Sequence, residues 1–187
     1  MSDEQGLSTY VLVDGENIDA TLGASVFGRR PHPEERPRWE RLLGFAEAEW
    51  DQPVKGLFFL AVKDELPMSF VQALTSIGYQ PVPLRGGPTE KVVDIAIQRT
   101  LAALTQRADD VILVSNDGDF LPQMEQLLGT RRLGLMAFQE FRNSGFRVLE
   151  SRGMEFFDLE YDVRAFNTKL PRLRIIPIDE FDPLDFL

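Results

Sequence analysis

Short apolar runs alternate along the chain with longer segments whose apolar residues recur every three or four positions. The short runs are rich in Val, Ile, Leu and Phe, which is typical of buried strands, and the longer segments have the period of amphipathic helices. The predicted strands are 8–14, 54–62, 80–84, 111–115, 132–138 and 154–159. The predicted helices follow Gly15 and then cover 38–50, 67–77, 90–106, 120–128 and 144–151.

This alternation decides the fold class. Strands that are joined through helices form parallel pairs with right-handed connections, and the helices then cover both faces of the sheet. We therefore predict an α/β fold, a three-layer α/β/α sandwich with a mostly parallel central sheet. At its first junction, Gly15 is expected to allow a sharp turn and Asn17 to cap the helix that follows. The strand 154–159 is expected at an edge.

Two segments fall outside the alternation. Residues 27–38 are rich in Arg and Pro, and a loop of this composition is not expected to form a regular element. Residues 175–187 interleave acidic and bulky apolar residues and contain no basic residue. We expect one domain at 1–160 and a C-terminal extension at 161–187. The terminal segment either packs on the domain, shields its site by charge, or offers Phe181, Leu184 and Phe186 to a protein partner.

Composition narrows the chemistry. The chain has 187 residues, enough for one compact domain, and its longest apolar run is too short to cross a membrane. Its acidic start, MSDEQGLS, is unlike the basic start of a signal peptide, so a cytoplasmic protein is expected. There is no cysteine and His32 is the single histidine, which excludes disulfides, cysteine–zinc sites and multi-histidine metal clusters. The net charge of −10 argues against whole-surface attraction to nucleic acid but leaves room for a local basic groove.

Four carboxylates lie next to apolar strands or within an apolar helix. Asp14 ends the first strand, and Asp117 and Asp119 follow the strand 111–115. Because the carboxyl ends of parallel strands share one edge of the sheet, these three should lie on the same rim. Asp94 interrupts the apolar run VVDIAI in the helix 90–106, with Lys91 three residues away.

Carboxylates that meet at one edge either hold a proton or bind a cation. Lys91 supplies one positive charge, which is too little for four acids. Hard oxygen ligands without cysteine or histidine favour Mg²⁺ or Mn²⁺, and such an ion can activate water and stabilise phosphoryl displacement. Ser115 and Asn17 are candidates to orient the ligating carboxylates, and Glu16 is a candidate outer ligand.

These residues carry a resemblance to a known family. The stretches VLVDGENID at 11–19, EKVVDIAI at 90–97 and VILVSNDGDFLPQMEQL at 111–127 resemble, in order and spacing, the NYN family of PIN-like ribonucleases, in particular its bacterial LabA-like branch. The resemblance covers roughly residues 8–160. It implies a PIN-like, Rossmannoid sheet and metal-dependent cleavage of RNA by water, with a 5′-phosphate on the product. Asp14, Asp94, Asp117 and Asp119 match the acidic positions, and Asn17 matches the polar position after the first Asp.

Plainer interpretations of the same residues stay open. Asp14, Asn17 and Asp119 are also suited to capping helices, and Asp94 to a structural ion pair with Lys91. Basic residues near the predicted rim would hold the RNA, or else pair with Glu34, Glu35 and Glu40 on a solvated surface. These candidates are Arg29, Arg30, Arg36, Arg38, Lys63 and Arg85.

Two other functions compete with a ribonuclease. One is a binding or regulatory module that keeps the metal pocket without cleaving RNA. The other is a haloacid-dehalogenase-like phosphatase, in which Asp14 would be the nucleophile, Lys91 its charge partner and Asp117 a metal ligand. The expected partners are RNA, a protein that binds the C-terminal segment, and a second copy of the chain, and no membrane is expected.

Overall fold

The computed structural model describes residues 7–187 and is built around a six-stranded sheet in which every neighbouring pair is parallel. The strands lie in the spatial order β3-β2-β1-β4-β5-β6. They are β1 (Thr9–Asp14), β2 (Val54–Ala61), β3 (Tyr79–Leu84), β4 (Asp110–Val114), β5 (Leu133–Ala137) and β6 (Glu155–Asp158). The predicted α/β class and parallel sheet are confirmed. Residues 1–6, part of the acidic start, lie outside the described residues.

The helices cover both faces of this sheet. They are α1 (Gly15–Thr21), α2 (Trp39–Trp50), α3 (Met68–Ser76), α4 (Val92–Leu104), α5 (Leu121–Leu127) and α6 (Phe146–Ser151). The bounds predicted from periodicity for α2 to α6 and for the strands agree with these to within two residues. Gly78 and Gly129, which follow α3 and α5, have φ of 104° and 84°, a left-handed conformation that glycine adopts easily.

One local prediction is wrong. Asn17 does not cap a helix: α1 already begins at Gly15, and Asn17 lies within its first turn. The Arg/Pro-rich segment 27–38 is largely irregular, as expected: Phe27 ends a π-helix that continues α1, and Pro33–Glu35 forms one 3₁₀ turn. The Glu35 carboxylate holds this turn by accepting hydrogen bonds from the backbone N–H of His32 and from the Arg29 guanidinium.

The core lies in two layers, one on each face of the sheet. Val11 and Val13 of β1 face α1, α2 and α3, whereas Leu12 faces α4, α5 and α6. Because β1 and β4 are covered on both sides, they read as continuous apolar runs rather than alternating ones. β3 and β6 form the edges, and the prolines of β3 fit an edge strand because proline donates no backbone hydrogen bond.

The first part of the C-terminal extension belongs to this core. Val163, Ala165, Phe166 and Leu170 are buried in the layer that contains α1 to α3. Beyond Arg172 the chain forms only two short 3₁₀ turns, and large apolar side chains such as Leu173 and Ile175 are 97% exposed. The division at residue 160 stays a prediction. Across residues 7–187, no helix has the length and apolar character to cross a bilayer.

Candidate metal centre

The predicted acidic residues lie at the carboxyl edge of the sheet, where β1 and β4 are neighbours. The chain leaves β1 toward β2 on one side and leaves β4 toward β5 on the other, so a crevice opens between these two strands. Asp14 is the last residue of β1, and Asp117 and Asp119 lie in the turn that follows β4. Asp94 is in the first turn of α4, the helix that returns from β3 to β4.

Three of the four aspartates form a tight cluster. Carboxylate oxygens of Asp94, Asp117 and Asp119 lie within 4.8 Å of one another. The Lys91 ammonium is 3.9 Å from the Asp94 carboxylate and 3.8 Å from that of Asp119. Burial raises the pKa of Asp94, Asp117 adds to the rise, and Lys91 opposes it. We call Asp94, Asp117 and Asp119 the acid cluster.

Asp14 lies behind the acid cluster and is 2% exposed. The Ser115 hydroxyl donates to its carboxylate at 2.9 Å and accepts a hydrogen bond from the backbone N–H of Asp117 at 3.1 Å. Burial raises the pKa of Asp14 to about 7; the Ser115 hydrogen bond lowers it, and the charges of Asp94 and Asp117 raise it further. Ser115 therefore connects the buried acid to the acid cluster.

A polar link that the sequence did not reveal fixes α1 to β4 and β5. The Asn17 side-chain oxygen accepts from the backbone N–H of Asn116 at 2.8 Å. The Asn116 amide in turn donates to the Thr21 hydroxyl and accepts from the backbone N–H of Phe138. The signals for this link were a polar Asn at the end of a buried strand and the spacing of Asn17 and Thr21, one helical turn apart.

Other residues border the acid cluster more loosely. Glu16 is exposed, and its charge contributes to the raised pKa of Asp94. The Gln98 side chain donates to the backbone carbonyl of Asp119 at 3.1 Å, so α4 supports the turn that carries two of the acids.

The basic residues predicted to hold substrate have different surroundings. Lys63 and Arg85 are exposed and follow β2 and β3 at the same edge as the acid cluster. Arg29 is instead paired with Glu35, as the plainer interpretation proposed. Arg30 is exposed in the loop, and Arg38 precedes α2 with its backbone N–H bonded to the Ala165 carbonyl.

The donor set suits a hard divalent cation. Three carboxylates face one lysine ammonium, which leaves an excess of negative charge where the oxygen atoms converge. Oxygen-only ligation of this kind fits Mg²⁺ or Mn²⁺ and does not fit a structural zinc site. The arrangement can therefore place a cation beside the crevice between β1 and β4.

Comparisons with known proteins concern the family and the fold. The sequence pattern of the NYN domain matches residues 8–160. No curated protein matches the chain significantly. The fold is similar to the crystal structure of a protein of unknown function from Vibrio parahaemolyticus, with a TM-score of 0.64 and 17% identity over 87% of this chain and 98% of that one. At this identity the likeness concerns the fold.

Proposed function

Because this chain belongs to the NYN domain family of PIN-like nucleases, we propose that it is a divalent-metal-dependent endoribonuclease. The observation that carries the proposal is the convergence of Asp94, Asp117 and Asp119 within 4.8 Å beside the crevice between β1 and β4. α4 and the turn after β4 are separate in sequence, and carboxylates that converge in this way either hold a proton or bind a cation. Membership of the LabA-like branch stays a prediction.

The acid cluster would hold Mg²⁺ or Mn²⁺. Such an ion supplies activation of water and stabilises the negative charge that develops on a phosphate. In the proposed reaction, a water oxygen forms a bond to phosphorus and the bond from phosphorus to the 3′ oxygen breaks. The products would carry a 5′-phosphate and a 3′-hydroxyl.

The neighbouring residues have positioning roles in this proposal. Ser115 holds the carboxylate of Asp14, and Asn17 fixes the backbone before Asp117 through its bond to Asn116. Lys91 balances part of the negative charge on Asp94 and Asp119. Glu16, exposed beside Asp94, is proposed as an outer ligand that acts through bound water.

The test is cleavage of a mixed pool of labelled RNA by the purified protein with Mg²⁺ or Mn²⁺. We expect cleavage by the wild type, its loss when EDTA removes the cation, and at least a hundredfold loss in Asp117→Asn and Asp94→Asn, since removal of one group that stabilises transition-state charge typically costs about 10²–10³-fold. Asp51→Asn is the matched control. Asp51 is exposed after α2 at the opposite edge of the sheet, and its φ of 49° suits asparagine.

Two outcomes would contradict the proposal in different ways. Cleavage that survives both cluster substitutions would not come from the acid cluster. Binding of Mn²⁺ without turnover of RNA would indicate a binding or regulatory module.

The phosphatase alternative is disfavoured because a nucleophilic Asp14 would have to reach a phosphate, yet its side chain is buried and bonded to Ser115.

A further inference from the structure

A trough leads from the acid cluster across the carboxyl ends of β2 and β3. It consists of two adjoining cavities with volumes of about 770 and 470 Å³. The first cavity reaches Asp94 and Glu16, and the second reaches Arg85 and Gly86. Both cavities are lined by Ala61, Val62, Lys63, Pro88, Glu90 and Val92. We call this continuous depression the β2–β3 trough.

The two ends of the trough differ in charge. The first cavity also contains Asp64 and Glu65, so it is acidic around the proposed cation site. The second cavity has two cationic side chains, Lys63 and Arg85, and one acid, Glu90. The Glu90 carboxylate accepts a hydrogen bond from the backbone N–H of Gly87 at 2.9 Å and is thereby held against the loop. The outer end is therefore the part suited to a phosphate.

Lys63 and Arg85 have no carboxylate partner within residues 7–187. Within the described part of the chain, the Arg85 guanidinium donates only to the backbone carbonyl of Asp64, at 3.0 Å. By contrast, Arg29 makes two hydrogen bonds to Glu35, and Arg152 pairs with Glu125 at 2.6 Å. The charges of Lys63 and Arg85 are thus available to an external anion.

The rim on the other side of the acid cluster is filled. The loop after β5 approaches the turn after β4, and the backbone N–H of Asn143 donates to the Asn116 carbonyl at 3.0 Å. The Asn143 side chain lies so close to Gly118 that any side chain at position 118 would displace it. A bound strand therefore has room toward β3 and is obstructed toward β5.

The lining of the trough favours an unpaired strand. Its surface contains Ala61, Val62, Leu84 and Val92, against which exposed bases can pack, whereas the bases of a duplex are stacked inside it. Among residues 7–187, no aromatic side chain lines either cavity, so stacking contributes little and phosphate contacts dominate the affinity.

We infer that single-stranded RNA binds along the β2–β3 trough, on one side of the scissile phosphate, with Lys63 and Arg85 holding its phosphates. This inference rests on the proposed function, which puts the scissile phosphate at the acid cluster. Lys63 follows β2 and Arg85 follows β3, so Arg85 lies about one strand spacing, roughly 4.8 Å, farther along the sheet from the acid cluster than Lys63.

Salt dependence of binding tests the two phosphate contacts. The full chain binds a fluorescent single-stranded RNA with Ca²⁺ in place of Mg²⁺, its integrity checked on a gel, while KCl rises from about 50 to 200 mM. Each phosphate contact to a single strand contributes about 0.7 to the slope of log affinity against log salt. We expect Lys63→Gln and Arg85→Gln each to flatten the slope by about 0.7, and the double variant by about 1.4. Arg152→Gln is the matched control and should keep the wild-type slope.

RNAs with one neutral phosphate test whether the protein contacts the strand on one side of the scissile phosphate or on both. RNAs that each carry one methylphosphonate are scanned across the cleavage position, and we expect weaker binding only for substitutions on one side. In the double variant Lys63→Gln/Arg85→Gln that interference should disappear, because the contacts that it reports are already lost.

A double variant with the wild-type slope, interference on both sides, or equal binding of duplex RNA would overturn the trough. These outcomes are separable from failure of the proposed function. Cleavage of RNA with Mg²⁺, combined with a salt slope that does not depend on Lys63 and Arg85, would support the nuclease proposal and contradict binding along the trough. The expected salt slope without cleavage would support binding along the trough and contradict the nuclease proposal.

Discussion

Asp14 is the residue whose environment most changes its chemistry. Its carboxylate is buried at the end of β1, has one hydroxyl partner in Ser115, and is close enough to Asp94 and Asp117 to sense their charges. With a pKa of about 7, raised first by burial, it holds a proton over part of the physiological range. A cation at the acid cluster would favour the ionised form, so metal binding should release a proton near neutral pH.

The raised pKa of Asp14 predicts how stability depends on pH without metal. A carboxyl group with a folded pKa of about 7 and an ordinary value of 3.8 binds more protons in the folded state between these two pH values. Its contribution to the free energy of unfolding therefore falls as pH rises from about 4 to 7. Since one pKa unit corresponds to about 1.4 kcal/mol, we expect Asp14→Asn to be more stable than wild type by a few kcal/mol at pH 8 in EDTA.

Urea unfolding at pH 5 and pH 8 measures this difference. At pH 5 the difference should be clearly smaller than at pH 8, because only part of the interval between the ordinary pKa of 3.8 and the folded pKa of about 7 has then been crossed. The added stability at pH 8 should be accompanied by loss of RNA cleavage. An Asp14→Asn variant that is less stable than wild type at pH 8 would mean that the buried carboxylate has a compensating partner.

At the scale of elements, the junction between β1 and α1 depends on its contact with β2. Gly15 begins α1, and a Cβ atom at this position would lie 2.5 Å from the ring of Phe58 in β2. Phe58 cannot move aside easily because its ring packs edge-on against Trp39, Phe70 and Tyr79. Glycine is thus required for close approach of the helix to the sheet, and this approach places Asp14 and Glu16 at the crevice.

The close contact between Gly15 and Phe58 predicts that Gly15→Ala destabilises the protein. Alanine is the better helix former by about 1 kcal/mol, yet the clash should destabilise the protein by about 1–3 kcal/mol. Phe58→Leu removes the ring atoms that the new methyl group would meet. In a four-protein urea-unfolding cycle, the double variant should be less destabilised than the sum of the single variants, by at least about 0.5 kcal/mol. Additive free energies would show that the Phe58 ring is not the obstacle.

At the scale of the whole molecule, the first part of the C-terminal extension packs into the core layer that contains α1 to α3. Arg172 has a side chain that is 1% exposed and forms ion pairs with Asp158 at 2.7 Å, Glu140 at 2.6 Å and Glu160 at 3.1 Å. Burial alone would raise the pKa of Asp158, but the hydrogen bond and charge of Arg172, together with hydrogen bonds from the backbone of Tyr161 and Gln139, outweigh it and hold that pKa below its ordinary value. Arg172 thereby fastens the extension to the end of β6.

Two truncations distinguish the parts of the extension. A chain that ends at residue 172 loses apolar side chains that are exposed, apart from the half-buried Ile176, so its midpoint of thermal unfolding should stay within about 2 °C of wild type. A chain that ends at 160 loses Phe166, Leu170 and Arg172 and leaves Asp158 buried without its partner. Each large apolar side chain contributes about 1.5–3 kcal/mol on burial, so we expect the shorter chain to unfold or aggregate at room temperature.

Circular dichroism against temperature compares the three chains. If the chain that ends at 160 melts like wild type, the predicted domain boundary at 160 is right and the packing of residues 161–172 contributes little stability. The chain that ends at 172 serves as the matched control, because it retains Arg172 with Asp158, Glu140 and Glu160.

The sequence was sufficient for the elements and for the edge on which the acids lie. Apolar periodicity is a local property, so strands such as 111–115 and helices such as 38–50 could be located from it without knowledge of their neighbours. The acids Asp117 and Asp119 could be assigned to one rim because the carboxyl ends of parallel strands share an edge. These predictions needed only the order of elements along the chain.

Other features depend on residues that are far apart in sequence. Asn17 appeared to be a helix cap because its neighbours suggest a helix start, but its hydrogen bond is to Asn116, 99 residues away. Arg29 is paired with Glu35 because the fold brings that carboxylate to it, whereas Lys63 lies in a cavity and has no carboxylate partner within residues 7–187. The burial of Phe166 and Arg172 likewise follows from the packing of the chain after β6.

By itself, then, the sequence determined the α/β architecture and the set of acids, since both follow from local pattern and chain order. Only the tertiary structure decided that Asp94, Asp117 and Asp119 converge while Asp14 stays buried behind them. It also decided that the open trough lies toward β3. The physical reason is that side-chain distances and desolvation depend on strand register and helix packing, which bring together residues that no local pattern connects.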